Sequence, residues 1–457
     1  MSKVKNAKIE GLFGYADHDI EFNLNDVTIL TAPNGAGKTH ILKLVSAALS
    51  LDYFTLLRHP YKSLQIELEN DTGLRVSRSS TDTGASITIL ALKDGDPWGS
   101  ELTVSEDMIE ALNDKFPSHV VRTGPGRWYN KRIGRSVSDN YIETRYGINV
   151  QQSLYGLPEH GELGEVCSGP PPVLIDTKRL DSSRDEKYLQ SESRHLNVRD
   201  HQGAEARIRE YTQELNQQVN EARRNSIRAT QSADASFAAR ALEVATMTIK
   251  ETELRRRYNE TVDRYEKLSK NALAVGERPL DFPESTTPTV RRILRVFLDD
   301  WDKRLEPLIP LNNKIQTLRS ILDSRLSPSG KMTGMSARGN LEFKTKSGRR
   351  IAVVQLSSGE QHLVALFTML LFSAQVGSLV LIDEPEISLH ASWKHALLDD
   401  LEQVAAVSGL QIVVATHSSA IINGNWDLVE EVELVPAPDA YYDGTGVDDE
   451  EEVDDGE

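Results

Sequence analysis

The stretch APNGAGKT, residues 32–39, sets two glycines, a lysine and a threonine between an apolar run and a helix-forming run. Asn34, Gly35, Ala36 and Gly37 allow a tight turn in which successive backbone N–H groups converge on one anion. The start of the following helix adds its partial positive charge to the same place. Such a loop suits a polyphosphate: Lys38 reaches toward the outer phosphates, Thr39 offers its hydroxyl to Mg2+, and His40 is the next residue of the cradle. The strict form of this pattern begins with glycine, and Ala32 stands there instead. Taken alone, the stretch also reads as an ordinary glycine-rich turn before a helix.

Three other stretches carry residue types that a phosphate reaction needs. LVLIDEPE (379–386) is an apolar strand ending in two carboxylates. Side chains alternate along a strand, so Asp383 and Glu384 point differently. Asp383 suits Mg2+ held through water, and Glu384 suits polarising an attacking water. VVATHSS (413–419) ends a second apolar strand with His417. A lone histidine is commonly a hydrogen-bonded structural residue, but the C-terminal end of a parallel strand is where ligands gather. LSSGEQ (356–361) opens a long apolar helix with Ser357, Ser358, Gly359 and Glu360. Ser357 with Glu360 makes an ordinary capping box, and a helix N-terminus also attracts anions, so both readings stand on these residues alone.

These residues need a scaffold, and the apolar patterning supplies one. IEFNL (20–24) and VTIL (27–30) read as strands, followed by a helix over 40–50. LQIELENDTGLRVSR (64–78) alternates on both sides of Asp71-Thr72-Gly73, a hairpin signal, and SITILAL (86–92) is a further strand. Residues 117–172 are rich in Gly, Pro and turn formers and read as a long irregular surface segment. VLIDTKRL (173–180) begins as a buried strand.

Residues 200–326 change texture. Ile208, Tyr211, Leu215 and Val219 repeat at spacings of three and four, as do Leu254, Tyr258, Val262, Tyr265 and Leu268. Val290 to Leu308 and Leu311 to Leu322 continue the pattern, which predicts amphipathic helices forming a hairpin or short coiled-coil arm. After the predicted loop SPSGKMTG, strands return as a hairpin over 341–354 turning at Ser347-Gly348. The strands at 378–383 and 410–416 flank a predicted helix over 390–407. Strand, helix, strand at this spacing implies a parallel α/β sheet to which both ends of the chain contribute.

The ordered set of phosphate loop, LSSGE, DEP and ATH resembles the ATP-binding-cassette ATPase class. The helical insertion between phosphate loop and signature is similar to the SMC/RecF-type branch rather than to transporter subunits. DEPEISLHAS, ATHSSAII and IDTKRL resemble the bacterial defence ATPases related to the OLD nucleases, including those of the Septu and PARIS anti-phage systems. The resemblance implies an α/β ATPase head, a phosphate-loop sheet with an antiparallel β subdomain. Residues 1–180 and 336–437 would supply it, with a helical insertion at 181–335. It implies ATP and Mg2+ as cofactors and a head-to-tail dimer in which Lys38 and Thr39 of one copy face Ser357, Ser358, Gly359 and Glu360 of another. Glu384 would be the general base, Asp383 and Thr39 would serve Mg2+, and His417 would contact the outermost phosphate. Residues 386–390 (EISLH) would line the dimer axis. OLD nucleases continue into a nuclease domain, whereas this sequence reaches an acidic tail at 438–457, so the effector nuclease it implies is a separate subunit. A RecF-like DNA-repair ATPase is the alternative. The signature departs from the family in having Ser358 where glycine is commoner, and Phe13 and Tyr15 are weak candidates for an adenine-stacking aromatic beside a role in the core.

Composition bounds these readings. The chain has 457 residues, 39% hydrophobic and 26% charged, long enough for two or three domains. Its single cysteine, Cys167, excludes an internal disulfide framework or cysteine zinc site and fits a reducing cytoplasm. The start lacks a signal-type apolar region, and LVALFTMLLFSA (363–374) is too short to span a bilayer. The formal net charge is −17, and residues 439–457 hold ten carboxylates with no Lys or Arg. That tail reads as disordered, a solubiliser or a shield against nucleic acid. RTGPGRWYNKRIGR (122–135) mixes five basic residues with Trp128 and Tyr129, which suits a solvated loop, a protein partner or nucleic acid. Arg255, Arg256 and Arg257 read as a solvated helix face, and Arg179 as an ion-pairing residue.

Overall fold

The computed structural model describes residues 2–33, 35–81, 84–108, 116–117, 120–124, 127–130, 135–148, 161–176, 202–244, 248–274, 278–279, 281–432 and 435–436. Asn34, Arg179 and the acidic tail lie outside these residues. The chain divides into two compact units. One comprises Met1–Lys3, Phe22–Thr31 and Ser168–Glu430; the other comprises Val4–Glu21, Ala32–Cys167 and Glu431–Glu457.

The second of these is built on an antiparallel sheet. Its strands β1 (Val4–Leu12), β2 (Ala16–Glu21), β4 (Ser63–Leu68), β5 (Thr72–Thr81), β6 (Gly84–Lys93), β7 (Asp96–Ser105) and β18 (Val435–Pro436) run in the order β18-β2-β1-β4-β5-β6-β7. The expected hairpin at Asp71-Thr72-Gly73 is present, with Asp71 at φ 59° turning β4 into β5. Leu64, Ile66 and Leu68 alternate inward, as period two requires of a sheet with one buried face. β7 escapes the sequence pattern because its first half is largely exposed and only Leu102 and Val104 are buried. The helix Lys38–Leu49 belongs here too and buries residues on nearly every side, from Ile41 through Leu49.

The expected irregular segment at 117–172 is corrected. β8 (Val120–Gly124), β9 (Arg127–Asn130) and β10 (Arg135–Ser138) form a three-stranded antiparallel sheet, with helices at Asp139–Tyr146 and Gly161–Val166. Strands of four and five residues are too short to raise a period-two signal above their turn residues.

The other unit holds a five-stranded sheet, β11 (Val173–Asp176), β15 (Leu379–Asp383), β16 (Gln411–Ala415), β3 (Thr28–Thr31) and β17 (Val429–Glu431), in that spatial order. β11, β15, β16 and β3 are parallel, with Asp176 opposite Asp383, Asp383 opposite Ala415 and Ala415 opposite Leu30. All five residues of β15 and of β16 are buried, which is why both read as unbroken apolar runs. The C-terminal ends of these four strands therefore share one edge.

Helices of the insertion complete the same core. The 42-residue helix Gln202–Glu243 places Ile208, Leu215 and Val219 in one cluster with Ile29, Ile175, Val380 and Ile412 of the sheet. Ile315, Leu318 and Leu322 of helix Ile309–Leu326 join them, as do Leu363, Leu366 and Phe367 of helix Ser358–Thr368. Farther along the insertion, Ile249, Leu254, Tyr258, Val262 and Leu298 form a smaller cluster of their own.

Three expected boundaries move. The loop SPSGKMTG ends at Gly330, and β12 (Lys331–Met335) already starts inside it, pairing with β13 (Leu341–Thr345) and through it with β14 (Arg350–Ile351). The helix expected over 390–407 breaks into Ala391–Lys394 and Leu397–Ser408. Arg325 Nη2 donates to the Ala396 carbonyl at that break (3.3 Å) and to Asp400 Oδ2 (2.5 Å). The helix from Ser358 turns into a π-helix at Met369–Ser373, where Gln218 Nε2 donates to the Phe372 carbonyl at 2.6 Å. In the last two cases a side chain remote in sequence meets the carbonyl of the irregular segment.

Candidate functional site

The phosphate-loop residues lie in the unit containing the antiparallel sheet. Gly35 and Gly37 adopt φ 86° and 91°, left-handed values that glycine reaches without strain. A Cβ on Gly35 would meet open space, whereas one on Gly37 would sit 2.8 Å from a Leu12 methyl and 3.0 Å from the Phe13 ring. Gly37 caps the helix Lys38–Leu49 with no side-chain hydrogen bond, and its first turn holds no acidic residue. A helix start of this kind suits an external anion. Lys38 is buried and its Nζ donates to the Ala32 carbonyl at 3.0 Å, so the lysine spans the loop it belongs to. Ala36 is buried, and Thr39 and His40 are half-buried. These features fit a polyphosphate with its Mg2+.

His40 packs edge-on against Phe13 (4.9 Å between centroids) and against His59 (5.2 Å). Burial first, then the charges of His59 and Lys43, hold its imidazole below the ordinary histidine range. Phe13 is half-buried, and Tyr15 is 45% exposed, so the core role weighed for Tyr15 is corrected.

The acidic strand end and the histidine lie together in the unit of the parallel sheet. Asp383, the last residue of β15, is buried. Glu384 follows in a left-handed conformation (φ 46°, ψ 57°), and its N–H donates to the Ala415 carbonyl at 2.8 Å. A non-glycine residue held there is strained, and strain of this kind collects at functional positions. β16 ends beside it at Ala415, and His417 is exposed two residues on. Glu386 turns back toward that strand end: its Oε1 accepts from Thr416 Oγ1 (2.6 Å) and from the His417 N–H (3.1 Å). Ile387, three residues past Glu384, is 50% exposed.

The signature residues cap a helix as the sequence predicts. Ser357 Oγ accepts from the Glu360 N–H (3.3 Å), and Glu360 Oε2 accepts from the Ser357 N–H (2.7 Å). Ser357 and Ser358 are exposed and Gly359 is half-buried. Glu360 is buried and occupied internally, since Lys331 Nζ donates to it at 2.6 Å and Ser329 Oγ at 3.2 Å. Burial works against its charge, but the Lys331 and Ser357 hydrogen bonds outweigh it and hold the carboxyl below the usual range. The exposed corner that remains is the pair of serines with the glycine.

Sequence reasoning missed Lys331, which stood in an expected loop, and the grip of Glu386 on Thr416. The ATH motif already contained Thr416, but its partner lies thirty residues away. The solvated face expected at Arg255–Arg257 is corrected in part. Arg256 pairs with Glu260 at the surface, but Arg255 stacks on Phe282 (4.4 Å) and Arg257 bridges Asp299 (2.9 Å) and Asp302 (2.7 Å) of the neighbouring helix. The basic and aromatic stretch 122–135 supplies β8, β9 and the start of β10, with residues 125–126 and 131–134 outside the described ones. No helix among the described residues is long and apolar enough to cross a membrane.

Comparison with known proteins gives one family. The family described as "AAA domain, putative AbiEii toxin, Type IV TA system" matches residues 171–423, more than half of the chain. This range includes the signature, β15 with its carboxylates, and the histidine motif. No curated protein matches. Among solved structures, the chain is similar to the SMC head bound to the C-winged helix domain of ScpA, at 11% identity over 94% of this chain and 97% of that one (TM-score 0.36). It is also similar to the SMC head domain from Thermotoga maritima, at 10% identity over 95% and 96% (TM-score 0.31).

Proposed function

The chain belongs to the AAA-domain family that carries the description putative AbiEii toxin of a Type IV TA system, and on that footing we propose that it binds Mg2+·ATP and hydrolyses it in a head-to-tail dimer. The observation that carries this is the shared C-terminal edge of β15 and β16. There Glu384, strained and tied to Ala415, stands beside the strand end that presents His417. Lys38 and the N–H groups after Gly35 hold the phosphates, with His40 next to them, and Thr39 and Asp383 serve Mg2+. Glu384 takes a proton from the attacking water, and His417 donates to the outermost phosphate as negative charge builds there. Mg2+ neutralises phosphate charge when bound. Ser357, Ser358 and Gly359 of the second copy bring an exposed helix start to the phosphate that Lys38 of the first copy holds.

In the cell the dimer acts as sensor and scaffold for a separate effector nuclease in phage defence. The motif resemblance supports this, and so does the family description, which names a toxin system.

The test uses the full chain. Wild type should hydrolyse ATP, Lys38→Ala should lose ATP binding, and Glu384→Gln should keep ATP and the dimer while turnover falls on the order of a hundredfold or more. Wild-type turnover in E384Q would remove Glu384 as the base. Purification with the product of the neighbouring gene tests the effector role. Absence of a complex, together with tight DNA binding that weakens steeply with salt, would replace it with the RecF-like reading.

A further inference from the structure

The ATPase reading leaves Glu386 without a task beyond lining a dimer axis. The structure shows what its carboxylate holds within the chain. Oε1 receives two donors, Thr416 Oγ1 at 2.6 Å and the His417 N–H at 3.1 Å. Thr416 is fully buried, and its own N–H donates to the Leu30 carbonyl of β3 at 3.1 Å. Its Oγ1 also accepts from the Ser418 N–H at 2.9 Å. β16 ends at Ala415 and its last contact with β3 is the Thr416 N–H, so the His417 and Ser418 N–H groups are held by this strap rather than by a sheet ladder. On the other side, the Glu384 N–H is tied to Ala415 at 2.8 Å. Glu384, Pro385 and Glu386 therefore form a short bridge from β15 to the end of β16, closed by the Glu386 side chain.

Two details separate this from a generic stabilising contact. Hydrogen bonds to a carboxylate are the strong kind, and the 2.6 Å distance is typical of O–H donating to a charged oxygen. The other carboxylate oxygen, Oε2, is buried and has no hydrogen-bond partner among the described residues. Burying an unpaired carboxylate oxygen costs stability, so an acid here is a poor choice for holding the fold alone.

We infer that Glu386 is a positioning residue for the ATPase reaction, fixing the His417 backbone through Thr416 so that the imidazole and the Glu384 carboxylate keep a constant relation. This rests on the reading of the previous subsection. Placement errors near 1 Å can cost about a hundredfold in rate.

The experiment measures ATP turnover and the hydrogen exchange of the His417 amide in full-length wild type, Glu386→Ala, Glu386→Gln and Thr416→Val. Glutamine keeps a carbonyl oxygen for both donors; valine keeps the shape of threonine without its hydroxyl. E386A and T416V should lower kcat roughly 10- to 100-fold with KM for ATP within about threefold, and E386Q should recover most of the loss. The His417 amide should exchange faster in E386A and not in E386Q. Should E386A fail to fold, T416V carries the same comparison. Unchanged kcat in E386A, equal loss in E386Q and E386A, or unaltered His417 exchange would each overturn the inference. A wild type that neither binds nor hydrolyses ATP would instead overturn the ATPase reading, and the exchange data would still decide whether Glu386 holds His417.

Discussion

Gly35 and Gly37 have nearly the same backbone, φ 86° and 91°, and yet differ in what surrounds them. Alanine at either position must adopt a left-handed conformation, which costs about 1 kcal/mol or somewhat more. At Gly35 nothing else among the described residues is met. At Gly37 the new methyl also runs into Leu12, itself fully buried, and into the Phe13 ring. Overpacking of that kind adds about 1–3 kcal/mol. Thermal denaturation of Gly37→Ala should therefore show a loss two to three times, roughly, that of Gly35→Ala. Equal losses would mean that Leu12 and Phe13 yield freely. Glu384 shows the same backbone logic with the opposite sense, since its left-handed φ of 46° is borne by a residue with a full side chain. A turn that only needed that conformation would be better served by glycine. The carboxylate is kept in spite of the strain, which is the pattern expected where chemistry rather than folding selects the residue.

At the scale of elements, the contact between helices Ile309–Leu326 and Leu397–Ser408 depends on Arg325 and Asp400. Burial pushes the Asp400 carboxyl up to about 6, against the pull of the Arg325 charge and hydrogen bond. The folded chain thus holds a proton on Asp400 more tightly than the unfolded chain does. That contribution to stability is complete below the unfolded value of 3.8 and is lost as pH rises through about 6. Asp400→Asn has no such titration. Denaturant midpoints should show wild type losing ground relative to D400N as pH goes from about 5 to about 7. Wild type gaining over that interval would show that the ion pair with Arg325 outweighs burial. The signature helix is held by a different ion pair, Lys331 with Glu360. Because Lys331 opens β12, this pair ties the exposed serines Ser357 and Ser358 to the hairpin of β12 and β13. The expected capping box and the unexpected lysine thus act on one carboxylate.

For the whole molecule, charge bears on the proposed self-association. Each copy carries a formal charge of −17, with ten carboxylates in residues 439–457 alone. Bringing two copies together around ATP opposes like charge with like, and salt screens that repulsion over a Debye length of about 10 Å at 0.1 M. The ATP-bound dimer of Glu384→Gln should therefore tighten as salt rises from about 50 to about 300 mM, measured by sedimentation. A dimer that loosens instead would be one held by ion pairs across its interface.

The amino-acid sequence by itself determined the features that rest on neighbours along the chain. These are the left-handed glycines before Lys38, the apolar strands ending at Asp383 and Ala415, the capping box of Ser357 with Glu360, and the turn at Asp71. Each follows from backbone sterics or from side chains within a turn of one another, so spacing alone reveals it. The helices of residues 202–326 were legible in the same way, but periodicity shows which face is buried and not what covers it. Tertiary structure alone decided that Ile208 and Leu215 pack into the core of the parallel sheet, that Arg325 meets the helix break at Ala396 across 71 residues, and that Lys331 neutralises Glu360 from 29 residues away. It also decided that Glu386 holds Thr416 and His417. Such pairings depend on where folded strands and helices come to rest, a sum over many long-range contacts that no local spacing encodes.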